Sequence, residues 1–75
     1  MIPDREDDLA VNVDRLRAQI AIARRTQASV YRALGWSDGR WQRRMNNPDT
    51  WTIRELNLVA AELGMDPRQL LAQDR

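Results

Sequence analysis

The 75-residue sequence contains no cysteine, no histidine and no phenylalanine. Without cysteine a disulfide framework is excluded, and without cysteine and histidine the usual zinc sites lack their ligands. Lacking an imidazole, the hydroxyls of Ser29 and Ser37 have no base to make them nucleophiles. Carboxylates crowd together mainly in the leading stretch "DREDD" (Asp4–Asp8), which reads as mobile rather than pocketed, without the burial or close pairing that separates the pKa values of a dyad. We therefore expect no catalytic residue, no metal and no cofactor. No apolar run approaches the length of a membrane span, and the start "MIPDREDDLA" is acidic where a secretory leader is basic and then apolar. A cytoplasmic protein is the expectation, with no membrane partner.

Net charge is only +1, but its distribution is uneven. Residues 1–14 carry one Arg and five acids, a balance of −4. Residues 15–44 carry eight Arg and one acid, a balance of +7, and residues 45–75 return to −2 with three Arg and five acids. A basic block between acidic ends suits a polyanionic partner. All twelve basic residues are Arg.

Hydrophobic spacing and punctuation read as five short helices in one domain spanning 1–75, with 1–8 an acidic helix start or frayed end. Leu9, Val13, Leu16, Ile20 and Ala23 follow a 4, 3, 4, 3 spacing, one buried helical stripe. The first helix is placed at 5–24, with Asn12 as the alternative cap of a shorter version. Three later starts share a hydrophobic staple, in which a large apolar residue precedes the cap and another follows it. These are Trp36-Ser37 with Trp41, Trp51-Thr52 with Leu56, and Met65-Asp66 with Leu70. Glu55 completes a capping box on Thr52, Pro67 takes the first helical position, and Gln69 reaches back. Thr26 caps a further helix, and Gly35 and Gly64 supply stops. The predicted helices are 5–24, 27–34, 38–46, 53–63 and 67–73, an all-α bundle.

The stretch "TQASVYRALGWSDGRWQRRMNN" (26–47) then reads as helix, tight turn, helix. Val30 and Leu34 face inward, Gly35 turns the chain, Trp36 plugs the turn, and Trp41 and Met45 face inward again. In this pattern the sequence resembles the lambda-repressor and Cro type of helix-turn-helix domain, over about residues 12–72. Gln27 matches that family's Gln at the start of the first motif helix, and "LNLVAAELGMDPRQLL" looks like its fourth helix and the start of its fifth. Tyr31 departs from the pattern where the family has Ala, and Arg44 departs where it is usually apolar. Ile20 and Met45 stand where many members pair an Arg with a Glu.

The resemblance implies a small phage-type transcriptional regulator, most simply a repressor, reading the major groove of double-stranded DNA with helix 38–46. With Ser37 as cap and about 100° per residue, Asp38, Gln42 and Asn46 form one row, and Gly39 and Arg43 the next. Carried over to these positions, the base readers are Asp38, Gln42, Arg43 and Asn46, with Gly39 allowing close backbone approach. Arg suits guanine, Gln suits adenine, and Asp accepts from cytosine. Phosphate contacts fall to Gln27, Ser37, Arg40, Arg44 and Asn47, with Arg24 or Arg25 reaching the same strand. A homodimer on a palindromic site would add affinity, with Met65, Leu70 and Leu71 either forming its contact or completing the monomer's core. The expected setting is a bacterial or phage-infected cytosol, at the nucleoid, with no small-molecule ligand.

Each assignment has a plainer reading beside it. The staple spacing favours core packing for Trp36 and Trp41 over stacking on bases. Asp38 serves its helix dipole if it does not meet cytosine. Gln42 and Arg43 are otherwise solvated surface, as Arg15 and Arg17 are expected to be. The competing function is a protein-interaction module, an antirepressor or adaptor whose Arg block meets an acidic partner.

Overall fold

The chain threads into its core before it becomes helical. In the computed structural model, which describes residues 9–72, Leu9 forms an isolated antiparallel bridge with Trp51, and Val11 another with Leu71. The extended segment is fixed further by bonds from Val11 N–H to the Pro48 carbonyl (2.7 Å) and from Asn12 N–H to the Leu70 carbonyl (2.8 Å). Asn12 then caps α1 (Val13–Ile22), its side-chain oxygen accepting from the Arg15 N–H at 3.0 Å.

Helix α2 (Gln27–Ala33) starts at a Thr26 cap with a reciprocal bond from the Thr26 N–H to Ser29. Gly35, at φ +78°, turns the chain, and Ser37 caps α3 (Asp38–Asn46). The loop 47–52 leads to α4 (Ile53–Leu63), where Thr52 and Glu55 form the capping box expected from the sequence. Gly64 ends α4 in the left-handed region at φ +67°, which only glycine adopts freely. A single 3-10 turn, Pro67–Leu70, comes next under an Asp66 cap. Helix α4 packs on both α2 and the 3-10 turn, and among the described residues the architecture is all-helical, without named strands.

Two expectations are corrected. The first helix begins at residue 13, not near 5: Leu9 packs against the core from an extended segment, and Ala23 is exposed. Residues 5–8 of the expected helix lie outside the described residues. Four α-helices form rather than five, because the stretch 67–73 makes only one 3-10 turn before Leu71 leaves in extended conformation. The Asp66 cap bonds the Arg68 N–H at 2.9 Å, and no reach-back from Gln69 is formed. Helix α1 also ends two residues early, at Ile22, while the ends of α2, α3 and α4 agree within one residue, α2 stopping at Ala33 with Leu34 as its C-cap.

The core joins Leu16 and Ile20 of α1, Val30 and Tyr31 of α2, Trp41 and Met45 of α3, Leu56, Val59 and Ala60 of α4, and Leu70. Leu70 is fully buried, while Met65 and Leu71 are half-buried against this cluster, so all three complete the monomer's core. Trp36, Trp41 and Trp51 meet at its centre with ring centroids 6.0–6.4 Å apart, and Tyr31 adds a ring 5.7 Å from Trp41. Offset and edge geometries of this kind suit the ring quadrupoles.

The Asn12 cap yields a direct check. Asn12→Ala should lower stability by about 1 kcal/mol, the usual cost of losing an N-cap, measured by urea unfolding. An unchanged midpoint would show that α1 does not start there.

Candidate nucleic-acid interface

The geometry of α3 is set by its two indole anchors. Trp41 is fully buried, and its N–H donates to the Gln27 side-chain oxygen at 2.8 Å, tying the middle of α3 to the start of α2. Trp51, also fully buried, donates its N–H to the Arg44 carbonyl at 3.0 Å, tying the end of α3 to the loop before α4. With Trp41 and Met45 inward, helical periodicity turns Asp38, Gly39, Gln42, Arg43 and Asn46 outward, and all five are exposed. The side chains of Gln42, Arg43 and Asn46 have no hydrogen-bond partner among the described residues. Gly39 lies beside Arg43: a Cβ there would sit 3.8 Å from the guanidinium, an ordinary contact.

Asp38 differs from its neighbours. Its carboxylate accepts the Tyr31 hydroxyl at 2.8 Å, linking the front of α3 to α2 across the turn. That hydrogen bond, then burial, then the charge of Asp38 hold the Tyr31 phenol above its ordinary pKa. Tyr31 thereby finds room in the core, with its hydroxyl directed at the first residue of α3.

The residues expected at phosphates divide into two groups. Exposed Ser37 caps α3, exposed Asn47 donates its amide to the Arg43 carbonyl at 2.9 Å, and Arg24 is exposed with a left-handed φ of 61°. The other members have internal partners. Gln27 uses its oxygen on Trp41. Arg25 reaches α4, bonding Glu62 at 3.0 Å together with the Ser29 hydroxyl and carbonyl. Arg40 and Arg44, one turn apart on the flank of α3, converge on Glu55 at 3.1 and 2.9 Å. Arg40 also lies over the Trp36 ring, 4.1 Å from its centroid.

Glu55 is the feature that sequence reasoning recognised only as a cap. It is 4% exposed and the one buried charged residue among those described. One carboxylate accepts the Thr52 N–H, Arg40 and Arg44. Burial pushes its pKa up, but the bonds from Thr52, Arg44 and Arg40 outweigh this and hold it below the ordinary carboxylate value. The available signal was the i, i+4 spacing of Arg40 and Arg44 beside the buried face, which calls for an acid on the element packed there. Each arginine keeps an outward edge: Arg44 bonds Glu55 only through Nε and Arg40 only through Nη2, and their side chains remain 29% and 43% exposed.

Among the described residues no three potential metal ligands gather, and no helix is long and apolar enough to cross a membrane. The arrangement is that of a small all-helical domain presenting one polar helix face beside two anchored guanidinium groups. The chain matches the BetR domain over residues 4–75 and belongs to that family. No curated protein and no solved structure gives a significant match.

Because Glu55 binds protons less readily when folded, its contribution to stability is complete above its unfolded pKa and fades as pH falls through the lower folded value. Glu55→Gln should therefore be less stable than the parent at neutral pH, by about 2 kcal/mol for a lost buried charge whose partners are half solvated. The two unfolding midpoints should converge as the pH is taken below about 4. A constant gap down to pH 2 would rule out the ion-pair role.

Proposed function

We propose that the chain is a sequence-specific, double-stranded DNA-binding transcriptional regulator in which α2, the turn at Gly35 and α3 act as a helix-turn-helix. Membership of the BetR family, a small helical domain of helix-turn-helix regulators, hints at this role. The observation that carries it is the face of Gln42, Arg43 and Asn46, exposed and unpartnered polar side chains beside the bare backbone of Gly39, on a helix whose opposite face is locked by buried rings. A helix of this kind fits the major groove, where Arg and Gln read base edges by paired hydrogen bonds.

In this reading the two kinds of arginine have different tasks. Arg43 is held by nothing but its own helix and is the base reader. Arg40 and Arg44 are oriented by Glu55 and offer their outer N–H groups to phosphates, so little side-chain freedom is lost on binding. Ser37, Asn47, Arg24 and the remaining amide of Gln27 supply further backbone contacts, while Arg25 serves mainly to join α2 to α4. Asp38, engaged by Tyr31, positions the front of α3 and repels misplaced phosphates. A homodimer on a palindromic site would raise the affinity of one short reading helix. The reading involves no catalysis and no cofactor. The competing adaptor role would use the same arginines against an acidic protein.

Duplexes selected from a random pool should yield a preferred site whose affinity falls steeply between 50 and 200 mM salt, as expected when several phosphates are neutralised. Arg43→Ala should relax preference at one base pair at a cost of about 1–3 kcal/mol, whereas Arg40→Ala should weaken all duplexes about equally and flatten the salt slope. Equal loss on every duplex for Arg43→Ala would remove it as a reader. No duplex binding at 50 mM salt would turn the assignment to the adaptor role.

A further inference from the structure

Helix α2 grips α3 from two successive turns. Gln27 accepts the Trp41 indole N–H at 2.8 Å, and one turn later the Tyr31 hydroxyl donates to Oδ1 of Asp38 at 2.8 Å. The first contact seats the helix, because Trp41 is fully buried with its centroid 5.7–6.4 Å from three other rings. The second reaches only one side chain, at the exposed tip of α3. The Tyr31 ring is itself buried against Trp41, so its hydroxyl adds one thing to the packing, a hold on Asp38. Among the described residues no other side chain bonds the Asp38 carboxylate and no cation pairs with it.

We propose that Tyr31 is a specificity-determining residue, holding Asp38 so that its second carboxylate oxygen reads the amino group of one cytosine. This role rests on the DNA-binding reading of α3 and names the base met by its first residue. A carboxylate offers acceptors alone, so in the major groove it needs an exocyclic amino group, which only cytosine and adenine carry there. Adenine sets the N7 acceptor beside its amino group, while guanine and thymine present acceptors without a donor. A negative oxygen held in place meets an acceptor on all three, and on cytosine it meets none. With one oxygen committed to Tyr31, Asp38 cannot swing to a neighbouring base pair. An unheld aspartate would lose side-chain freedom at each base contact, whereas here the freedom is already gone before DNA arrives. A bare phenyl ring would fill the same space and leave the carboxylate loose.

The test measures the parent, Tyr31→Phe, Asp38→Ala and Asp38→Asn on the selected duplex and on its single-base-pair variants. One base pair should favour cytosine in the parent, and Asp38→Ala should abolish that preference alone. Tyr31→Phe should cut the same preference by about 2- to 10-fold, the cost of ordering one side chain on binding. Preferences at the other base pairs and the salt slope should not move. Added to Asp38→Ala, Tyr31→Phe should change nothing further, as two residues acting through one contact require. Asp38→Asn should turn the preference toward adenine, whose N6 and N7 suit an amide.

In the free chain, the Asp38 carboxyl carbon resonance should shift in Tyr31→Phe. A resonance that stays in place overturns the hold before any duplex is added. Equal weakening on every duplex makes Tyr31 a packing residue, and an undiminished cytosine preference removes its hold; either result overturns the proposal. A parent that binds a preferred site with no preference traceable to Asp38 also overturns it, and leaves the DNA reading standing on Arg43. A parent that binds no duplex refutes the DNA reading and this role together.

Discussion

Burial of the Trp41 indole is the constraint on which the rest of the geometry depends. An indole removes some 150–250 Å² from water, about 4–6 kcal/mol by area and an upper bound for a real unfolded chain. A domain this small has only about 5–15 kcal/mol of net stability. The ring also carries a donor that must be satisfied, and Gln27 satisfies it. One side chain therefore sets how deep α3 sits, which face it turns to solvent, and where α2 begins relative to it. Trp36 and Trp51 close around it from the preceding turn and the following loop.

Glu55 has the corresponding position among the charges. A carboxylate this deep is costly unless nearly all its lone pairs are used, and here the helix cap and two arginines use them together. The result couples local and tertiary structure: the residue that starts α4 also holds the flank of α3. Arginine suits the task because its planar fork can bond inward through one edge and outward through another. Lysine would offer a single point charge to both.

Much of this was legible in the residues. Staples and caps located α3 and α4 to the residue because cap chemistry is local: Ser37, Thr52 and Asp66 each needed only their own neighbours. The inward Trp41 and Met45, and the outward Gln42, Arg43 and Asn46, came from helical period alone. The start of α1 did not, because Leu9 fits a helical stripe and reaches the same core from an extended segment, so spacing cannot separate the two. Asn12 held the answer, since its side chain caps the helix that opens at Val13. The short final turn was overestimated because Leu71 is drawn into pairing with Val11, a partner sixty residues away in sequence. The partners of Arg25, Arg40 and Arg44 were hidden for the same reason: Glu62 and Glu55 lie on another helix.

The pairing of Val11 with Leu71 has an architectural result. The Ala72 N–H donates to the Ala10 carbonyl at 2.9 Å, so the two ends of the described chain lie side by side and depart from one corner. A domain built this way can be spliced into a surface loop of a larger host without prising the host's backbone apart. A short linker can likewise join the ends into a ring, leaving the exposed bend at Asn47–Thr50 as a natural place to reopen it.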